Sequence, residues 1–207
     1  MTYSISDVRE FPHAEAILAR YNNSLKEVSD FQEHFLAELI LSLDDLDNAE
    51  PAWFSRFDTQ LIVEFLKLSH QYFLERLLPS IERLVEVLSD RNESEPSLKE
   101  PELLIFRRFK EDLISHMNYE ETFLFPFAVV QGLQKQTNER RFDEVKFKEL
   151  HPEMVIGIDH LIQTFHKKKR VFENSLAYSI LMDKLHGLEI ELKLHEFIEE
   201  EILLGRL

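Results

Sequence analysis

Two segments of the sequence combine one histidine with two glutamates at the same spacing. Each contains a histidine, a glutamate four positions later and a second glutamate directly after it: His116, Glu120 and Glu121 in one segment, and His195, Glu199 and Glu200 in the other. Residues four apart on a helix lie on one face, so the imidazole and the first carboxylate would point the same way. Such a pair could close on one metal ion, or its carboxylate could bridge two. The repeated pattern therefore predicts a metal site to which two helices contribute.

The apolar residues around both motifs indicate that the first glutamate of each is buried. Leucines precede His195 and isoleucines follow it at helical spacing: Leu181, Leu185, Leu188, Leu192, Ile198 and Ile202. Glu199 therefore stands where a core leucine would be expected. A comparable stripe surrounds Glu120: Phe109, Leu113, Phe123 and Phe127. A buried carboxylate is costly unless it is paired or bound to a metal, so a cation shared by the two glutamates would remove most of that cost.

Two further histidines lie on other predicted helices. His70 shares an apolar stripe with Val63, Leu66 and Phe73, whereas His160 has small or mixed neighbours at helical spacing. Taken alone, each is more readily explained as a hydrogen-bonded core histidine than as a ligand. One histidine on each of four core helices, two of them within the repeated motif, favours metal binding. The other histidines are predicted to be surface or supporting residues: His13, His34, His151, His166 and His186.

The apolar periodicity and the presence of only four glycines predict an all-α fold. Helices are expected over approximately these ranges, with bends at Pro79 and Pro126: 29–46, 57–89, 102–134, 144–174 (or 152–174) and 177–204. The last four would form an up-down four-helix bundle. Residues 1–55 are predicted to be an N-terminal helical extension with a linker, and residues 56–207 to be the bundle.

The composition limits the chemistry and the partners of the chain. It contains no cysteine, which excludes disulfides, thiolate nucleophiles and iron–sulfur ligation by this chain and leaves nitrogen and oxygen as metal donors. A net charge of −15 opposes binding to a phosphate backbone, so no nucleic-acid partner is expected. No apolar run is long enough to span a membrane, and acidic residues near the N-terminus are unlike a signal peptide. We therefore expect a cytoplasmic protein without membrane contact.

Four segments resemble the hemerythrin-like (HHE cation-binding) family, which includes di-iron proteins of iron–sulfur cluster repair. They are SHQYFLERLLPSI (69–81), ISHMNYEETFLFP (114–126), PEMVIGIDH (152–160) and LHEFIEEEILL (194–204). The second is similar to the H-x-x-x-E-E-x-x-L-F-P signature and is the most specific of the four. The resemblance covers residues 60–204, and residues 1–55 lie outside its motifs.

This resemblance implies a bundle that holds two non-haem irons. The implied ligands are four terminal histidines and two bridging glutamates: His70, His116, His160, His195, Glu120 and Glu199. Repair-type members carry one more histidine ligand, but this sequence has Ser89 to Asn92 in its place, so water or Glu93 would complete one iron. Carboxylate and imidazole donors suit iron, with manganese as the alternative, better than copper.

The implied function is the handling of O₂, NO or peroxide, or the supply of iron, in stress response or iron–sulfur cluster repair. Nothing in the sequence implies catalytic turnover. Two alternatives stay open. One is a metal- or gas-responsive sensor or binding module whose N-terminal extension contacts a protein partner. The other is a metal-free bundle with a vestigial site.

Overall fold

The computed structural model of the chain describes residues 3–11, 13–21, 29–90, 101–133, 152–172 and 175–207. Every regular element in these ranges is helical and none is a strand, which confirms the all-α prediction. The α-helices are α1 (Ile5–Val8), α2 (Ala14–Ala19), α3 (Asp30–Asp44), α4 (Thr59–Tyr72), α5 (Leu78–Asp90), α6 (Pro101–Tyr119), α7 (Phe125–Leu133), α8 (Pro152–Lys167) and α9 (Leu176–Phe197). Within the described ranges, no helix is both long and apolar enough to cross a membrane. The up-down arrangement of four helices stays a prediction.

Short polar side chains set the starts of α3 and α4. Ser29 accepts a hydrogen bond from the backbone N–H of Gln32 and donates its own N–H to the Gln32 side chain, forming a capping box. Asp58 accepts the N–H of Leu61 at 2.7 Å and so caps the start of α4. Both caps satisfy first-turn donors that have no partner within the helix. The residues between the two helices, predicted as a linker, form 3₁₀ helices at Leu46–Asn48 and Pro51–Phe54.

π-Helical turns precede both internal prolines. Phe73–Leu77 joins α4 to α5, and Glu120–Leu124 joins α6 to α7; each turn ends two residues before a proline, Pro79 or Pro126. Proline lacks an N–H, and its ring clashes with the carbonyl group four residues earlier, which here falls within the wider π turn. Where the sequence predicted a bend, the structure therefore shows a π turn ahead of each proline. A third π turn, Ile198–Leu203, follows α9.

The chain divides into two compact units, the first comprising Met1–Ser69, Leu124–Arg141 and Leu194–Leu207. In this unit α1 and α2 pack against α3. Phe35 of α3 lies edge-on to Phe57 and Phe65, with ring centroids 5.1 and 5.8 Å apart. Arg206 donates to the carbonyl oxygen of Phe57 at 2.7 Å. Residues on both sides of the predicted boundary at residue 55 thus share one core, and the boundary itself stays a prediction.

The second unit comprises His70–Phe123 and Phe142–Lys193. In it α6 packs against α5 and α8 around a continuous apolar core. Gly157 of α8 permits close approach, since a Cβ at this position would lie 3.0 Å from the ring of Phe109. The leucine stripe predicted for α9 is buried, as expected: Leu181, Leu185, Leu188 and Leu192. Three of the boundaries, after Ser69, Phe123 and Lys193, fall inside helical segments of the described residues, so single helices contribute residues to both units.

Candidate metal centre

The carboxylate of Glu120 faces two imidazoles. Its Oε1 lies 2.6 Å from Nε2 of His116, one helical turn earlier, and its Oε2 lies 3.2 Å from Nε2 of His70. The Glu120 side chain is fully buried, and both histidines are buried as well. The H-x-x-x-E spacing therefore places the first histidine and the glutamate together, as the sequence predicted. Each oxygen of one carboxylate faces a different imidazole, which is the arrangement that a bridging ligand requires.

The second motif has the same internal contact. Nε2 of His195 lies 3.3 Å from Oε1 of Glu199, and the Glu199 side chain is fully buried. Ile198 and Ile202 beside it are buried, so the carboxylate occupies a core position. The prediction that Glu199 replaces a core leucine is confirmed by its burial.

Four of the predicted ligands converge. One ligand atom from each of His70, Glu120, His195 and Glu199 lies within 4.8 Å of the others. Donors around one ion at about 2.1 Å are separated from each other by about 3.0–4.2 Å, so small side-chain movements would close this group on an ion. The donor set, two imidazole nitrogens and two carboxylate oxygens in a buried setting, fits iron or manganese. The group could hold a metal ion.

Two other buried glutamates among the described residues contact cationic side chains. Glu38 lies 2.6 Å from Nη2 of Arg56, and Glu102 pairs with Lys168. Burial raises the pKa of Glu38, and the charge of Arg56 opposes that rise. The contacts of Glu120 and Glu199 with imidazoles differ in kind, because imidazole is itself a metal ligand. This chemical difference distinguishes the candidate metal centre from the Glu38–Arg56 and Glu102–Lys168 pairs.

The structure does not place His160 in this group. His160 lies on α8 and is exposed, whereas the side chains of that helix that are described as buried are Met154, Ile158, Leu161, Ile162 and Phe165. A residue two positions after Ile158 points about 200° away from it around the helix, which turns the imidazole outwards. The structure therefore leaves His160 outside the converging group, and the ligand role implied for it stays a prediction. His116 contacts Glu120, but none of its atoms belongs to the converging group of four ligand atoms.

The exposure of His160 leads to a direct prediction. Replacing His160 with alanine should leave the metal content of the purified protein unchanged, whereas replacing His195 with alanine should reduce it strongly. Elemental analysis of both variants beside the wild type checks this. A loss of metal in His160→Ala equal to that in His195→Ala would restore His160 as a ligand.

The remaining histidines of the described ranges take no part in the converging group. His166 and His186 are exposed, with their rings 5.9 Å apart, in keeping with the surface role predicted for them. Glu93, the substitute considered for a further ligand, and His151 lie outside the described residues.

One contact of the site was not foreseen. Oε1 of Glu121 lies 2.8 Å from Nδ1 of His70, on the opposite side of the ring from Glu120. The signal was present in the second glutamate of the H-x-x-x-E-E motif, but the pairing joins residues 51 positions apart and is not visible in a local pattern.

Comparisons of the chain with family models, with curated proteins and with solved structures found no match.

Proposed function

We propose that the chain is a non-haem iron protein of the hemerythrin-like type that holds two irons at the candidate metal centre. The observation that carries this proposal is the convergence of His70, Glu120, His195 and Glu199 in a buried position. Two acids buried so close together repel each other unless a positive charge lies with them. Metal binding supplies that charge and uses the imidazoles at the same time.

The contacts of Glu120 support two metal positions rather than one. Its Oε2 faces His70, a member of the converging group, and its Oε1 faces His116, which is not. A bridging carboxylate would place one metal on the side of His70 and the other on the side of His116. The nitrogen and oxygen donors support iron, and manganese is the alternative that the same donors accept.

The role proposed for the centre is the binding of O₂, NO or peroxide, or the supply of iron, during stress response or iron–sulfur cluster repair. A bound ferrous ion would supply an open coordination position for such a small ligand. The chain would contribute the donors, and buried apolar residues close to them in sequence, Phe73 and Phe125 among them, would exclude water. These roles concern binding and positioning, and no catalytic turnover is proposed.

Metal analysis of protein purified from iron-supplemented cells tests the proposal. We expect close to two irons per chain and the near-ultraviolet absorption of an oxo-bridged ferric pair in the oxidised protein. Iron at one per chain without that absorption would contradict the di-iron assignment. Protein that contains no iron or manganese, and takes up neither under reducing anaerobic conditions, would contradict metal binding and leave the metal-free alternative.

The response of the protein to metal distinguishes the sensor alternative from the proposed role in iron supply. A sensor should change its oligomeric state or its sensitivity to protease when iron or NO binds. A protein that supplies iron should instead lose it to an apo-acceptor while keeping the same protease pattern. Limited proteolysis with and without iron, run beside an iron-transfer assay, decides between the two.

A further inference from the structure

Both ring nitrogens of His70 contact carboxylates. Nε2 lies 3.2 Å from Oε2 of Glu120, which is fully buried, and Nδ1 lies 2.8 Å from Oε1 of Glu121, whose side chain is 45% exposed. The imidazole itself is buried. The two glutamates are neighbours in sequence, yet they approach the ring at different atoms. They are the first two residues of the π turn Glu120–Leu124.

The contact with Glu121 determines which nitrogen of His70 carries the hydrogen. A carboxylate only accepts hydrogen bonds, so Nδ1 must donate to Glu121. Nε2 lies farther from its own carboxylate, 3.2 Å from Oε2 of Glu120, so in a neutral imidazole the shorter contact assigns the hydrogen to Nδ1 and leaves the lone pair of Nε2 on the side of Glu120. Metal-binding histidines are commonly held by such a hydrogen bond from the second ring nitrogen, which fixes both the tautomer and the ring orientation.

We propose that Glu121 is the positioning residue of the candidate metal centre: it holds His70 in the Nδ1–H tautomer and turns Nε2 towards the metal. The effect on metal binding rests on the proposed function, whereas the effect on the tautomer does not. The proposal also gives the second glutamate of the first H-x-x-x-E-E motif a role of its own. Glu120 contacts the nitrogen that would bind metal, and Glu121 contacts the nitrogen that orients the ring.

The consequence is measurable before any metal is added. Long-range ¹H–¹⁵N spectra of histidine side chains distinguish the two neutral tautomers. In metal-free wild type we expect His70 to give the Nδ1–H pattern. Glu121→Ala should convert His70 to a mixture of tautomers, and Glu121→Gln should retain the Nδ1–H pattern because the amide oxygen can still accept. Glu111→Ala, which changes an exposed glutamate of α6, is the matched control and should leave the pattern unchanged.

Metal affinity provides the second measurement. Titration with Mn²⁺, which avoids oxidation, should show affinity about 10–100-fold weaker for Glu121→Ala than for wild type, since loss of a ligand's supporting hydrogen bond typically has that effect. Glu121→Gln should recover most of the affinity, and Glu111→Ala should match wild type. A purely structural role of Glu121 would lower thermal stability without moving the tautomer.

The two proposals fail in different ways. If wild type binds Mn²⁺ and Glu121→Ala keeps both the Nδ1–H pattern and the affinity, the positioning role is wrong and metal binding stands. If wild type binds neither Mn²⁺ nor iron but Glu121→Ala still changes the tautomer of His70, metal binding is wrong and the hydrogen bond to His70 is upheld.

Discussion

Replacing Glu120 with alanine is expected to lower the metal content of the purified protein to less than about one tenth of the wild-type value. Changes to groups that merely support a ligand weaken metal affinity about 10–100-fold, and Glu120 is predicted to be a ligand itself. Its carboxylate contacts His70 and His116 at once, so the substitution would remove a donor from both predicted metal positions. Elemental analysis after anaerobic iron loading measures the effect directly.

The controls for this prediction separate metal loss from misfolding. Glu120→Gln keeps the size of the side chain and one carbonyl oxygen but removes the charge, so it should also lose most of the metal. Glu111→Ala lies on the same stretch of helix, is exposed, and should load fully. Circular dichroism of each variant establishes that it is folded. A folded Glu120→Ala protein with full metal loading would refute the bridging role of this residue.

The burial of the site could be predicted from the sequence because it depends on local helix periodicity. The apolar residues before Glu199 recur at steps of three and four, and the constant pitch of α9 up to Phe197 brings them to one face. The structure buries Leu188, Leu192 and Glu199 as that pattern requires. A glutamate within such a stripe has few explanations other than a partner inside the core.

The same reasoning failed where the helical pitch changes. Phe123 was expected on the buried stripe after Glu120, but it is 56% exposed, and Leu124 and Phe125 are buried instead. The π turn at Glu120–Leu124 contains an additional residue, which rotates the side chains that follow relative to an α-helix. Pro126 was a visible sign that the α-helical pitch could not continue unchanged. A periodicity read with a constant 3.6-residue turn does not detect this shift.

His160 and Glu121 show two further limits of predicting the site from the sequence. His160 entered the ligand set through the resemblance of one segment, although its own helix carries a buried stripe, Ile158 and Leu161 included, on the other face. That stripe was present in the sequence and argued against burial of His160. Glu121 is the converse case, because its partner His70 is contributed by a different helix. No local pattern specifies a contact between side chains that are distant along the chain.

Replacing Glu199 with leucine is expected to have opposite effects on the metal-free and the metal-loaded protein. Without metal, the melting temperature should equal or exceed that of wild type, because the substitution removes one of two buried acids that lie close together and so relieves their mutual repulsion. Glu199 is fully buried beside Ile198 and Ile202, so leucine suits its surroundings. The metal-dependent rise in melting temperature should disappear.

The size of that rise in wild type follows from mass action. A ligand at 100 times its dissociation constant stabilises the folded state by about 2.7 kcal/mol. For a chain of this size each kcal/mol corresponds to about 2–4 °C, so saturating metal should raise the wild-type melting temperature by about 5–10 °C. Differential scanning calorimetry with and without Mn²⁺, on wild type and Glu199→Leu, measures both effects.

The change in melting temperature caused by Glu199→Leu should have opposite signs without and with metal. This distinguishes a metal ligand from a glutamate that only supports the fold. If Glu199 served only to hold His195 in place, leucine would lower the melting temperature with and without metal. If Glu199 is retained for metal binding, the metal-free protein gains stability from its loss, since Glu120 and Glu199 then no longer repel each other. Glu201→Leu, at an exposed position two residues later, should leave the metal-dependent rise intact. A Glu199→Leu protein that is less stable when metal-free would show that the acid supports the fold and not the ion.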